Sequence, residues 1–188
     1  MILPIVAYGS SVLTKEADEV HRDHPNLKEL IQNMFETMDA AKGVGLAAPQ
    51  IGLPLRIFVV DASPFAEDDE KYAHLKDFRK VFINPEIEEF YGDDWTFEEG
   101  CLSIPTIRED VDRPEGIKMS YFDEHFKKKT EEFDSIVARI IQHEYDHIEG
   151  VLFVDYLSPL KKRFLKKKLS SISKGNVNVN YKMKFPIK

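Results

Sequence analysis

With 188 residues, 43% hydrophobic and 31% charged, the chain carries enough apolar material for one core and too little length for a second independent domain. No stretch approaches the ~20 uninterrupted apolar residues of a membrane helix, and the opening Met1-Ile2-Leu3-Pro4-Ile5 lacks a basic leader, so a cytoplasmic location without a membrane partner is expected. Net charge is −7, yet from Tyr156 onward there are ten Lys or Arg and no Asp or Glu, which leaves −17 on residues 1–155. Such a basic tail is either a solvated face or a site for an anionic partner such as nucleic acid.

In chain order, Leu27, Leu30, Ile31, Met34, Met38 and Ala41 recur at three- and four-residue intervals, which predicts an amphipathic helix over 26–41 with Asn26 as its cap. Gly43-Val44-Gly45-Leu46-Ala47-Ala48-Pro49-Gln50 suits neither helix nor strand and reads as a shaped loop. Residues 56–60 and 81–83 read as strands, separated by a charged surface excursion over 62–80. Alternation over 117–122, a turn at Asp123-Glu124 and the run 126–133 predict a hairpin. Ile136, Val137, Ile140, Ile141 and Ile148 then give a helix from Asp134-Ser135 to Gly150. A last amphipathic segment, 160–172, sets Leu160, Phe164, Leu165, Leu169 and Ile172 against lysines, and no exposed apolar stripe stands out, so a monomer is expected. Residues 176–180 and 182–188 read as an added strand or a loose end. The expected fold is a single α+β domain over 1–188. Antiparallel β-sheets pack around a central helix, with an N-terminal helix and a basic C-terminal helix or tail over 158–188.

The chemistry concentrates in His143-Glu144-Tyr145-Asp146-His147. Histidines at i and i+4 share one helix face and can share one ion, and Glu144 is placed to reach a water on that ion. Paired core or surface histidines are the alternative. A catalytic site of this type wants three protein ligands and an open position. Phe153 stands where a third histidine would continue the motif, and no carboxylate follows Asp155, so the search turns upstream. The best candidate is Cys101, the sole cysteine, in Glu99-Gly100-Cys101-Leu102-Ser103; a thiolate suits a borderline divalent ion, and Gly100 would let backbone approach the metal. A buried inert cysteine is the other reading.

Together, the segments 43–50, 99–103 and 143–147 resemble the three signature motifs of the peptide deformylases, in order and approximate spacing, and Ile5-Val6-Ala7-Tyr8-Gly9 is similar to that family's start. The resemblance spans residues 1 to 157. It implies removal of the formyl group from the formyl-methionine of nascent polypeptides, with a water on the metal attacking the formyl carbonyl and Glu144 as general acid and base. Cys101, His143 and His147 would bind one divalent ion, with Fe²⁺ implied as native and Zn²⁺, Ni²⁺ or Co²⁺ compatible with the donor set. Gln50 and the Leu102 backbone N–H would face the oxyanion, Gly45 would hydrogen-bond the substrate backbone, and Val44, Ile136 and Ile140 would line the methionine pocket. Glu99 is placed with the substrate-binding residues; alternatively it orients a ligand or pairs with Arg113 or Arg108. Arg139 reads as a rim residue. The basic C-terminal segment implies ribosome docking. The rival readings are a general metallopeptidase, which the missing downstream ligands disfavour, and a ribosome- or RNA-binding module with a closed four-ligand structural ion.

Overall fold

The computed structural model describes residues 1–186. Its centre is a five-stranded antiparallel sheet in the order β2 (Gly45–Ala47), β3 (Ile57–Asp61), β4 (Arg79–Cys101), β5 (Ile104–Phe122), β6 (Lys128–Asp134). Strand β3 reads as a continuous apolar run because both its faces are buried. Phe58 and Val60 join Phe82, Tyr121 and Phe133 on one side, while Ile57 and Val59 join Val81 and Ile83 on the other. Helix α1 (Leu27–Ala40) covers the second face through Leu30, Ile31, Met34 and Met38. Helix α3 (Ser135–Ile148) covers the first through Ile136, Val137, Ile140 and Ile141, against a stacked Phe58–Phe82 pair with ring centroids 4.9 Å apart. The mixed helix and antiparallel-sheet architecture expected from the pattern is therefore present, with α3 at its heart.

Several local expectations change. Asn26 starts α1 in the left-handed region (φ 58°) and its side chain makes no capping bond. The segment 43–50 is partly regular: β2 pairs Gly45, Leu46 and Ala47 with Val60, Val59 and Phe58, and a 3-10 turn follows over Ala48–Ile51. Small residues allow this strand to lie close against α3, which a glycine-rich sequence disguises. The excursion over 62–80 contains α2 (Ser63–Asp68) and a 3-10 stretch, Glu70–Leu75. The predicted hairpin is real, but it caps a much longer one. Strands β4 and β5 pair along nearly their whole length, with register shifts at 83/86, 87/89, 91/94 and 100/101 that break the two-residue alternation and hide the strands from pattern reading.

Helix α4 (Pro159–Ser173) rests on a third cluster through Leu169 and Ile172, whereas Leu160 and Phe164 are 63% and 75% exposed. The expectation that all five apolar residues share one side is corrected: 165, 169 and 172 make the packing seam, and 160 and 164 lie about 130° around the helix from it. The small sheet at the chain ends is parallel, not antiparallel; β1 (Ile5–Val6) pairs with β7 (Met183–Lys184). Residues 183–184 are thus an added strand. Residues 187–188, the last part of that segment, lie outside the described residues.

Candidate metal centre and substrate cleft

Helix α3 places His143 and His147 on one face with ring centroids 5.0 Å apart, and the end of β4 brings Cys101 to meet them. The Cys101 Sγ lies 3.3 Å from His147 Nε2, and one ligand atom from each of the three residues lies within 4.8 Å of the others. Bonds of ~2.3 Å from sulfur and ~2.0 Å from nitrogen to a common ion leave those atoms roughly 3.5 Å apart at a tetrahedral angle, so the three residues fit one divalent ion. Among the described residues no fourth His, Cys, Asp or Glu joins the group.

The surroundings fit a metal as well. Glu99 is buried and accepts hydrogen bonds from His143 Nδ1 (2.8 Å), Arg113 Nε (2.7 Å) and Nη2 (3.0 Å), and Arg139 Nη1 (2.9 Å). A carboxylate can only accept, so Nδ1 of His143 carries a proton and Nε2 is the nitrogen left to face an ion. Burial works to raise the Glu99 carboxyl pKa, yet the bonds from His143 and Arg113 hold it well below the usual carboxylate range. Burial also pushes the His147 imidazole well below its ordinary value, which favours the neutral ligand form.

Arg113 additionally donates to Asp146 Oδ2 at 2.8 Å, tying β5 to α3. Arg139 is 2% exposed, bonds Glu99 and the Val111 carbonyl, and sits 4.6 Å from the Trp95 ring centroid. It is a buried strut that lines the inner wall of the cleft and not an exposed rim residue. Glu99 stands in the cleft lining with both carboxylate oxygens engaged by three side chains. Of its two anticipated arginine partners, Arg113 is the one present, because Arg108 bonds Glu98 instead (2.7 Å). A β-carbon on Gly100 would meet Arg108, so this glycine makes room for that side chain.

Glu144 is 4% exposed, and its Oε2 has no hydrogen-bond partner in the protein. Burial pushes its carboxyl up to about 7. Gly45 leaves the space Glu144 occupies: a β-carbon there would stand 2.4 Å from Oε1. Gln50, 1% exposed, is held by its own turn, with Oε1 accepting from Ala47 N at 2.9 Å. Its Nε2 is therefore directed to Cys101 Sγ (3.5 Å) and Ser103 Oγ (3.4 Å).

These groups open on a cavity of about 680 Å³ lined by Val44, Gly45, Gln50, Leu102, Ile140 and Glu144, with His143 and Cys101 on its floor. Ile136 is absent from this wall; one turn before Ile140, it is 1% exposed within the core cluster of Ile117, Met119 and Phe133, and its assignment to the pocket is corrected. Val179, Asn180 and Tyr181 line the cleft from the C-terminal tail, and nothing in the sequence pattern signalled them. Asp146 was equally silent, being an unspecified position inside the histidine motif.

A family model described as polypeptide deformylase matches residues 2–163. The chain is 58% identical over 190 residues to the peptide deformylase of Christiangramia forsetii, covering 99% of this chain and 97% of that protein, and 57% identical to that of Cytophaga hutchinsonii, covering both in full. Among solved structures, a peptide deformylase from Legionella pneumophila superposes with a TM-score of 0.80 at 37% identity, covering 94% of this chain and 98% of that one. One from Synechococcus elongatus, solved in complex with actinonin, gives 0.77 at 40% identity, covering 88% and 85%. Taken with the three-ligand group and its cleft, these similarities mean that the chain belongs to the polypeptide deformylase family, metal-dependent hydrolases that remove the N-terminal formyl group from nascent peptides.

Proposed function

We propose that Cys101, His143 and His147 hold the divalent ion of this hydrolase, that Glu144 carries the proton, and that Gln50 and the Leu102 N–H receive the oxyanion. The observation that carries this reading is the convergence of an open three-ligand group, an unpartnered buried carboxylate and a pre-aimed amide on one cavity. Three protein ligands suit a catalytic site, whereas a closed structural ion would need a fourth.

A formamide is an unreactive carbonyl, and the bound ion supplies Lewis acidity that brings the pKa of a water at the site down toward ~7. Glu144 takes the proton from the attacking water and returns it to the leaving amine. Its raised pKa is matched to both halves of that task, since a carboxyl titrating near neutrality accepts and releases a proton at similar cost. Gln50 serves the oxyanion because its own Oε1 is occupied, so only Nε2–H is presented; a placed donor of this kind is worth ~3 kcal/mol. Gly45, on edge strand β2, offers backbone to an extended peptide without a side chain in the way. Val44 and Ile140 give the cleft an apolar wall suited to a methionine side chain.

Fe²⁺ is the native ion we assign: two imidazoles and a thiolate accept it as well as Zn²⁺, Ni²⁺ and Co²⁺, which such a site binds more tightly, and the family resemblance points to Fe²⁺. The ribosome is the docking partner of α4, which exposes Lys162, Arg163, Lys166 and Lys167 as well as Leu160 and Phe164. The apolar patch departs from the expectation that no such surface stands out. Its cationic setting opposes a second copy meeting it and suits polyanionic RNA, consistent with a cytoplasmic monomer.

The decisive experiment replaces Glu144 with Ala and measures formate release from a formyl-Met peptide under anaerobic conditions, alongside metal content. Turnover should vanish while one ion per chain is retained. Retained turnover overturns the role of Glu144.

A further inference from the structure

We propose that Tyr181, on the C-terminal tail, is a positioning residue for the reaction: its hydroxyl anchors the Leu102 carbonyl and so restrains, from its C-terminal side, the residue whose N–H receives the oxyanion. The proposal rests on the role given above to the Leu102 N–H.

The tail that follows α4 is pinned against the start of the chain. Ile5 N bonds the Lys182 carbonyl and Ala7 N the Lys184 carbonyl, each at 2.9 Å, in the β1–β7 ladder. Phe185, Met183 and Val177 pack onto the third core cluster. Tyr181, just before the ladder, is thereby held over the segment 101–103, where its O–H donates to the Leu102 carbonyl at 2.8 Å. The ring packs against the same cluster as Leu102, and burial pushes its hydroxyl pKa up to about 12, so it remains a donor at neutral pH.

Segment 101–103 is a sharp reversal between β4 and β5, where Cys101 pairs with Ile104 after a register shift, so the ladder supplies little restraint to Leu102. Its other ties are at its end: Tyr8 N bonds the Ser103 carbonyl at 2.8 Å. With Tyr181 bonded to the carbonyl of Leu102 and the Cys101 side chain in the ligand group, residue 102 is held on both sides, which sets the direction of its N–H. Oxyanion donors act through such preorganisation; a donor free to swing must be reoriented in each turnover. The same stretch of tail contributes Val179 and Asn180 to the cleft wall, so its place is next to substrate rather than at a remote end.

The test is Tyr181→Phe, which keeps the ring and removes only the hydroxyl. Formyl-Met peptide kinetics and Zn²⁺ content are measured, together with hydrogen exchange of the Leu102 amide in the ¹⁵N-labelled, Zn²⁺-loaded full-length protein. We expect kcat to fall about three- to tenfold, as loss of one buried hydrogen bond allows, with KM within twofold, one ion retained and Leu102 exchange accelerated several-fold. Unchanged exchange with unchanged kcat overturns the proposal, as does a fall in kcat accompanied by loss of the ion, which would mark Tyr181 as merely structural. If the parent protein releases no formate, the functional reading fails by itself, while the exchange comparison still decides whether Tyr181 restrains Leu102.

Discussion

Gly45 and Glu144 are in such close apposition that a β-carbon on the one would stand 2.4 Å from Oε1 and 2.8 Å from Cδ of the other. The glycine of an edge strand and the carboxylate of the central helix thus occupy one volume, and neither position is free to change without the other. The tightness explains how a carboxylate can be 4% exposed and still stand at the cleft.

It follows that Gly45→Ala displaces the Glu144 carboxylate. Misplacement of a catalytic group by about 1 Å costs on the order of 10²-fold, so kcat/KM for a formyl-Met peptide should fall by about that factor. Overpacking should lower stability by about 1–3 kcal/mol. Steady-state kinetics with thermal unfolding checks both, and metal content should be unaffected.

Glu99→Gln removes the charge that Arg113 and Arg139 share beneath the site, at 3% side-chain exposure. Buried Arg139 loses its carboxylate partner and Arg113 is left with Asp146, at a cost of about 3–5 kcal/mol. For a chain of this size, Tm should drop by on the order of 10 °C. The His143 ring also loses its anionic acceptor, so metal affinity should weaken by roughly 10–100-fold in a competition titration with a chelator.

Cys101→Ala leaves two imidazoles of the three-residue group proposed to hold the ion. Purified protein should contain well under one ion per chain, and formate release should be lost with it. Full metal occupancy in this variant would remove Cys101 from the ligand set.

Reversing charge at Lys162, Lys166 and Lys167 on α4, all exposed and far from the ligand group in sequence, should abolish ribosome co-sedimentation without altering kcat/KM. Deleting residues 158–188 is the poorer experiment, because Tyr181 and the β7 strand would go too and turnover would fall with association.

The sequence alone determined whatever depends on local periodicity and on chemistry close in the chain. Histidines at i and i+4 share one helix face, with Glu144 beside them, whatever surrounds the helix, and the lack of downstream candidates directed attention to Cys101. Helices α1 and α3 were equally legible, since a 3.6-residue repeat survives any tertiary setting. Tertiary structure alone decided what depends on which distant segments touch. The bulged register of β4 and β5 scrambles the two-residue alternation, so neither strand's length nor the meeting of Glu99 with Arg139 could be read, and the choice of Arg113 over Arg108 as its other partner stayed open. Ile136 and Ile140 share a helix face, yet only one reaches the cleft, because the sheet covers the other. The tail carries no motif; it reaches Leu102 only because a two-strand parallel ladder joins the two ends of the chain, a contact between residues almost the whole sequence apart.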